Sequence, residues 1–179
     1  MGLQPSDVER LLSASPARLP LTKSEFQAKP DDCGLRLQDA PTLFPAAQHS
    51  EAALAGLLLR LGCWTESHTL AQDVNTPEGS YWHAIVHRME PDAANAGYWF
   101  DRTGNHPIFP ELLARTAEIL KRNGPANWQL KPTWDPFLFI RWCDEARQAG
   151  GQAEAAALEI QDAEWQLLFG WCSARKHSA

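Results

Sequence analysis

The stretch Thr76–Gly104, TPEGSYWHAIVHRMEPDAANAGYWFDRTG, carries two helices and the punctuation between them. Thr76-Pro77 supplies an N-cap followed by a proline at the first helical position, where its missing N–H is no loss. At about 100° per residue, Tyr81, Trp82, Ile85, Val86 and Met89 fall on one side as a core-facing stripe, which predicts a helix to about Glu90. Pro91-Asp92 then restarts the chain into a second helix that stops at Gly104. Its Ala93, Ala96, Gly97 and Phe100 form a small-residue face that admits another helix at close range.

The same grammar extends in both directions. Ser50 can cap SEAALAGLLLRLG, which ends at Gly62, and a short helix follows from about Thr65 to Val74. Downstream, Pro107 or Pro110 opens ELLARTAEILKR, Asp135-Pro136 opens FLFIRWCDEARQ, and a last helix runs from about Ala153 to Ala174. Upstream, Ser6 with Glu9 matches a capping box for a helix over 6–13. Between Ser15 and Pro45, Pro16, Pro20, Pro30, Pro41 and Pro45 forbid a sustained period, so this is an extended wrapping segment with Leu35, Leu37, Leu43 and Phe44 as anchors. No stretch alternates over a strand's length. The expected fold is all-α: one domain of packed helical hairpins, either a tetratricopeptide-like (TPR-like) arrangement over 51–74 and 77–104 or an irregular bundle. Residues 1–49 form a terminal helix and wrapping segment, and 50–179 form the helical core.

Composition sets the outer limits. The chain has 179 residues, 44% apolar and 21% charged, which is globular rather than disordered or collagen-like. At this length about 70% of the unfolded chain's surface is buried on folding, so the core needs no metal or disulfide staple and a bound metal would serve function. A net charge of −6 without a basic stripe argues against a nucleic-acid partner. The apolar run around Leu57–Leu59 is too short to span a bilayer. Residues 1–10, MGLQPSDVER, lack the apolar core of a signal peptide, so cytoplasmic residence is the expectation. Cys33, Cys63, Cys143 and Cys172 form no C-x-x-C and read as reduced thiols. All eight tryptophans lie beyond residue 63. Most read as gap-filling core rings, with an apolar ligand cavity or an oligomer interface left open.

One constellation carries chemistry. His83, His87 and Glu90, at i, i+4 and i+7, are expected opposite the apolar stripe. These are the right residue types and spacing for a divalent transition metal, or for a relay in which Glu90 orients His87. Gly79 tops that side and would leave room for a ligand near the helix N-terminus. On the next helix Asn95, Tyr98 and Arg102 share a polar face, and His106 follows just past Gly104. If the hairpin closes with both polar faces on one groove, these residues converge. Arg88 can complement the helix dipole, and His68 reads as a hydrogen-bonded packing residue. Complete catalytic motifs are excluded. HAIVH has Ala84 where H-E-x-x-H needs its base, His87-Arg-Met-Glu90 reverses the di-iron order, and no G-x-S-x-G or phosphate loop occurs.

The run GSYWHAIVHRMEPDAANAGYWFDRTGNHPIF resembles the signature WHxxxHRxEPDxxNAxYWFxRxGxHP of a family of bacterial and fungal proteins to which no activity is assigned, and EIQDAEWQLLF near the C-terminus is similar to that family's tail. The likeness is dense over about thirty residues and extends over Ser50 to Cys172. It implies that His83, His87, Arg88, Glu90, Asn95, Tyr98, Arg102 and His106 are signature positions, without giving them roles. Two functions follow as expectations. The first is a polar groove that binds a small ligand, an anion or a divalent metal through those eight residues, with His83, His87 and Glu90 as the metal set and catalysis left open. The second is a helical-repeat module that binds a protein partner, in which the same residues form a structural network.

Overall fold

The computed structural model describes residues 3–25 and 34–175, and among them the chain forms nine α-helices and no strand. These are α1 (Asp7–Ser13), α2 (Ala40–Leu43), α3 (Ser50–Arg60), α4 (Trp64–Asp73), α5 (Pro77–Met89), α6 (Ala93–Thr103), α7 (Phe109–Asn123), α8 (Pro136–Ala149) and α9 (Gly151–Ser173). The expected all-α class is therefore found. No helix among the described residues is long and apolar enough to cross a membrane.

Local chemistry sets the helix ends. The Thr76 hydroxyl accepts from Gly79 N–H at 3.2 Å, Asp92 caps α6 by accepting from Asn95 N–H, and Asp135 accepts from Phe137 and Leu138 N–H. Gly104, at φ +66°, takes the left-handed conformation that ends α6. At α1 the expected capping box is absent: the Ser6 side chain makes no cap bond, and Asp7 reaches back instead to accept from Gln4 N–H at 2.8 Å. Ser50 is the first residue of α3, and His49 occupies the cap position without a side-chain bond.

Two hairpins, α3/α4 and α5/α6, pack side by side through α4 and α5, while α9 runs against α3, α7 and α8. This places α5 at the centre. Gly56 on α3 lies so close to it that an added Cβ would sit 2.5 Å from the Trp82 ring. Every residue of α5 from Glu78 to Met89 is buried. The helix therefore has no solvent face, and the expectation that His83, His87 and Glu90 stand off the core fails for the two imidazoles. Gly79 leaves no room for a ligand either, because its Cβ would lie 2.1 Å from the Val74 carbonyl oxygen.

The described residues before α3 are not wholly extended. They form single 3-10 turns at Lys23–Glu25 and Leu37–Asp39, and then α2. Pro30 and Cys33 lie outside the described residues. Leu35, Leu43 and Phe44 are buried anchors, whereas Leu37 is 46% exposed; Leu19 and Leu21 are buried in addition. Three side chains of the bundle pin this strap by its carbonyls. Arg60 donates to Ala17 O, Gln161 to Pro20 O, and Arg147 to Leu21 O. Cys143 and Cys172 are free and buried as expected, but Cys63 is disulfide-bonded rather than reduced. Burial, only partly offset by Arg88 and Arg147, pushes the Cys143 thiol up to about 11, so it is unreactive.

Candidate metal centre

Two helices build a cluster of three imidazoles. His83 and His87 are one turn apart on α5, and their Nε2 atoms lie 3.1 Å from each other. His68 on α4 faces both, with ring centroids at 4.6 Å from His83 and 5.0 Å from His87. One ring nitrogen from each of the three lies within 4.8 Å of the others. His83 and His87 are buried and His68 is half-buried. Apart from the contact between the two Nε2 atoms, the cluster is short of partners: His68 Nε2, His83 Nδ1 and His87 Nδ1 are buried without a hydrogen bond. Buried polar atoms are nearly always paired, so three orphans in one place call for an explanation.

His83 and His68 are held neutral. Burial, followed by repulsion from His68 and His87, pushes His83 down to about 3. Burial and the His87 charge lower His68 in the same way, with Lys23 adding to the effect and Glu90 opposing it. Neutral imidazole is the form that coordinates a metal. Aromatic side chains wall the cluster. Trp99 lies over His83 at 4.1 Å, and Trp64 packs on His68 at 5.0 Å. Glu90 stands 3.5 Å from His87 on its Nδ1 side and is ion-paired with Lys23. A carboxylate in that position orients the ring as an outer partner, and does not ligate through the same face as the Nε2 atoms.

The eight residues expected to line one groove therefore do not share it. His83 and His87 meet, with Glu90 beside them. Asn95 donates to Asp92 at the start of α6, Tyr98 is 55% exposed, and Arg102 lies over the ring of Trp99 at 5.3 Å. Arg88 projects to another side of α5, where it donates to Glu164 and Gln161 and covers the Phe139 ring at 4.4 Å. His68 is the residue that sequence reasoning passed over. The signal available for it was Trp64 one turn earlier on the same helix, an aromatic ring at the spacing that places it on an imidazole.

His106 lies near the opposite end of α5, in a second polar nest. Its Nδ1 accepts from Ile108 N–H at 3.3 Å, which turns its Nε2 toward Glu78 Oε1 at 3.7 Å. Trp171 donates to the same oxygen at 3.1 Å, and His49 Nδ1 stands 3.4 Å from the other. Burial would raise Glu78, but the bonds from His106, the backbone and Trp171, with the charge of His49, override it and hold the carboxyl at about 2. A depressed folded-state value makes a stability contribution that is complete above the unfolded carboxyl range and lost as pH falls from about 4.5 toward 2. Thermal melts between pH 5 and 2 should therefore show the wild type losing on the order of 2 kcal/mol more than Glu78→Gln does, as about 1.4 kcal/mol per pKa unit allows. Parallel pH profiles would remove this role.

No protein-family model matches the chain, and no curated protein and no solved structure is significantly similar to it.

Proposed function

We propose that the chain binds a divalent transition metal through His68, His83 and His87. The reading rests on one observation, the three ring nitrogens gathered within 4.8 Å of one another with orphaned atoms around them. Two Nε2 atoms 3.1 Å apart close on a cation at about 2.05 Å with an N–metal–N angle of about 98°, between the octahedral and tetrahedral values. His68, on the half-buried ring, then has to draw in by at most about 1.5 Å to the separation a tetrahedral site needs. Imidazole donors suit zinc, copper and nickel better than magnesium or calcium. Three protein ligands leave one position for a small ligand, which is the ligand count of catalytic zinc sites rather than closed structural ones.

Glu90 has a supporting role in this reading: its carboxylate stands 3.5 Å from His87 Nδ1 and would hold the ring's proton on that nitrogen, presenting the Nε2 lone pair to the metal. In the metal-free protein one proton lies between the two Nε2 atoms, and when the cation takes its place that proton moves to His83 Nδ1, which has no partner. Chelator-stripped protein titrated with Zn²⁺ by calorimetry near pH 7 should take up one equivalent with little net release of protons. No heat and no zinc retained after gel filtration would sink the reading.

A second reading, a TPR-like interaction module that binds a protein partner, is favoured by one observation: Arg88 is a fully buried member of a network with Glu164 and has no access to a ligand. On that reading the histidines are also structural, and the same zinc titration gives nothing.

A further inference from the structure

The three-imidazole site leaves a charge imbalance. Three imidazole ligands bring no negative charge to offset a dication in a largely buried setting, where an uncompensated charge is costly. The nearest carboxylate, Glu90, stands on the Nδ1 side of His87 and is already engaged by Lys23. Lys23 lies at the rim: its ammonium is 4.3 Å over the ring of Trp64, which packs on His68, the half-exposed member of the triad. On the other side Arg102 covers Trp99, the ring stacked on His83. Both aromatic walls of the cluster thus carry a cation. His68 is the half-exposed edge of the cluster, with flat rings and cations beside it.

We propose that the open position takes a small carboxylate, bound to the metal by one oxygen and to the Lys23 ammonium by the other. This rests on the metal-binding reading and extends it to the class of ligand. An anionic, planar group meets all three features at once: it neutralises the cation, answers the ammonium and fits between aromatic faces. A neutral ligand would meet only the last.

The test uses the full chain loaded with Co²⁺, whose visible absorption reports its ligands, and sodium acetate as the probe. Acetate should shift the cobalt bands of the wild type, and Lys23→Ala should bind acetate roughly tenfold more weakly, the worth of one charge-assisted hydrogen bond. The same variant should bind Co²⁺ at least as tightly as the wild type, because a like charge near the metal is gone, and Lys23→Arg should restore the acetate response. A substitution that merely loosened the strap would weaken both. If the wild type develops no cobalt bands, the metal reading fails and this inference with it. If cobalt binds but acetate leaves its spectrum unchanged, or if Lys23→Ala binds acetate as well as the wild type does, this inference alone fails.

Discussion

Glu164→Ala is expected to lower the free energy of unfolding by about 3–5 kcal/mol, the cost of leaving a buried charge without its partner. Glu164 on α9 and Arg88 on α5 are both fully buried and ion-paired. Tyr81 donates its hydroxyl to the same carboxylate at 3.0 Å, and Arg88 also donates to Gln161. Burial works against the Arg88 charge, and Glu164 more than compensates, holding its proton above the ordinary arginine range; burial and the Glu164 charge likewise raise Tyr81. Removing the carboxylate strands the guanidinium against Phe139 and leaves a buried hydroxyl without an acceptor. Removing both charges is a different experiment. Arg88→Met with Glu164→Leu should cost far less, about 1–2 kcal/mol for the Tyr81 hydroxyl left without its acceptor, because two desolvation penalties vanish together with one attraction. Tyr81→Phe should cost about 1 kcal/mol. Denaturant unfolding of the three variants measures all of this, and a loss below about 1 kcal/mol for Glu164→Ala would show that the pair stabilises nothing.

Arg88 also marks where the sequence stopped being readable. Helix ends were legible because capping is local: Thr76-Pro77, Asp92 and Asp135-Pro136 each bond N–H groups within three residues, and the structure keeps all three. The faces of α5 were not. A two-sided pattern assumes that one side meets water, and α5 is covered by α3, α4 and α6, so Trp82 and His83 are equally hidden. Polar residues on such a helix reveal that they need partners without revealing which. Arg88 found its partner 76 residues away on α9, and His83 found neighbours on α4 and α6. The expected convergence of α6 failed for a related reason. Its contribution to the cluster is Trp99, which the sequence offered only as a packing ring, whereas Tyr98 is exposed and Arg102 reaches the cluster only by covering Trp99. Gly104 then reverses the chain, and His106 arrives near the opposite end of α5. His68 needed knowledge that α4 packs on α5, which no residue in either helix states.

The largest functional effect is expected from His83→Ala, which should weaken Zn²⁺ binding by more than about 100-fold, beyond the 10- to 100-fold typical of losing an outer partner. His83 is the most buried of the three rings and the one in contact with both others and with Trp99. His68→Ala should come close to the same loss, although its ring is half-exposed, because a two-nitrogen site is a poor chelate. Glu90→Gln should cost only about tenfold: the amide still faces His87 Nδ1 but no longer carries the charge that raises the basicity of the ring. The order distinguishes ligands from a structural cluster, and thermal stability supplies a second axis. At a free zinc concentration about 100 times the dissociation constant, binding should add about 2.7 kcal/mol to the wild type and nothing measurable to His83→Ala. The metal-free forms should differ far less, because the His83 ring leaves its Nδ1 buried without a partner, and deleting it removes that penalty along with its packing. Were the three rings only a packing device, the result would invert: each alanine variant would melt early without metal, and zinc would leave every melting curve where it was.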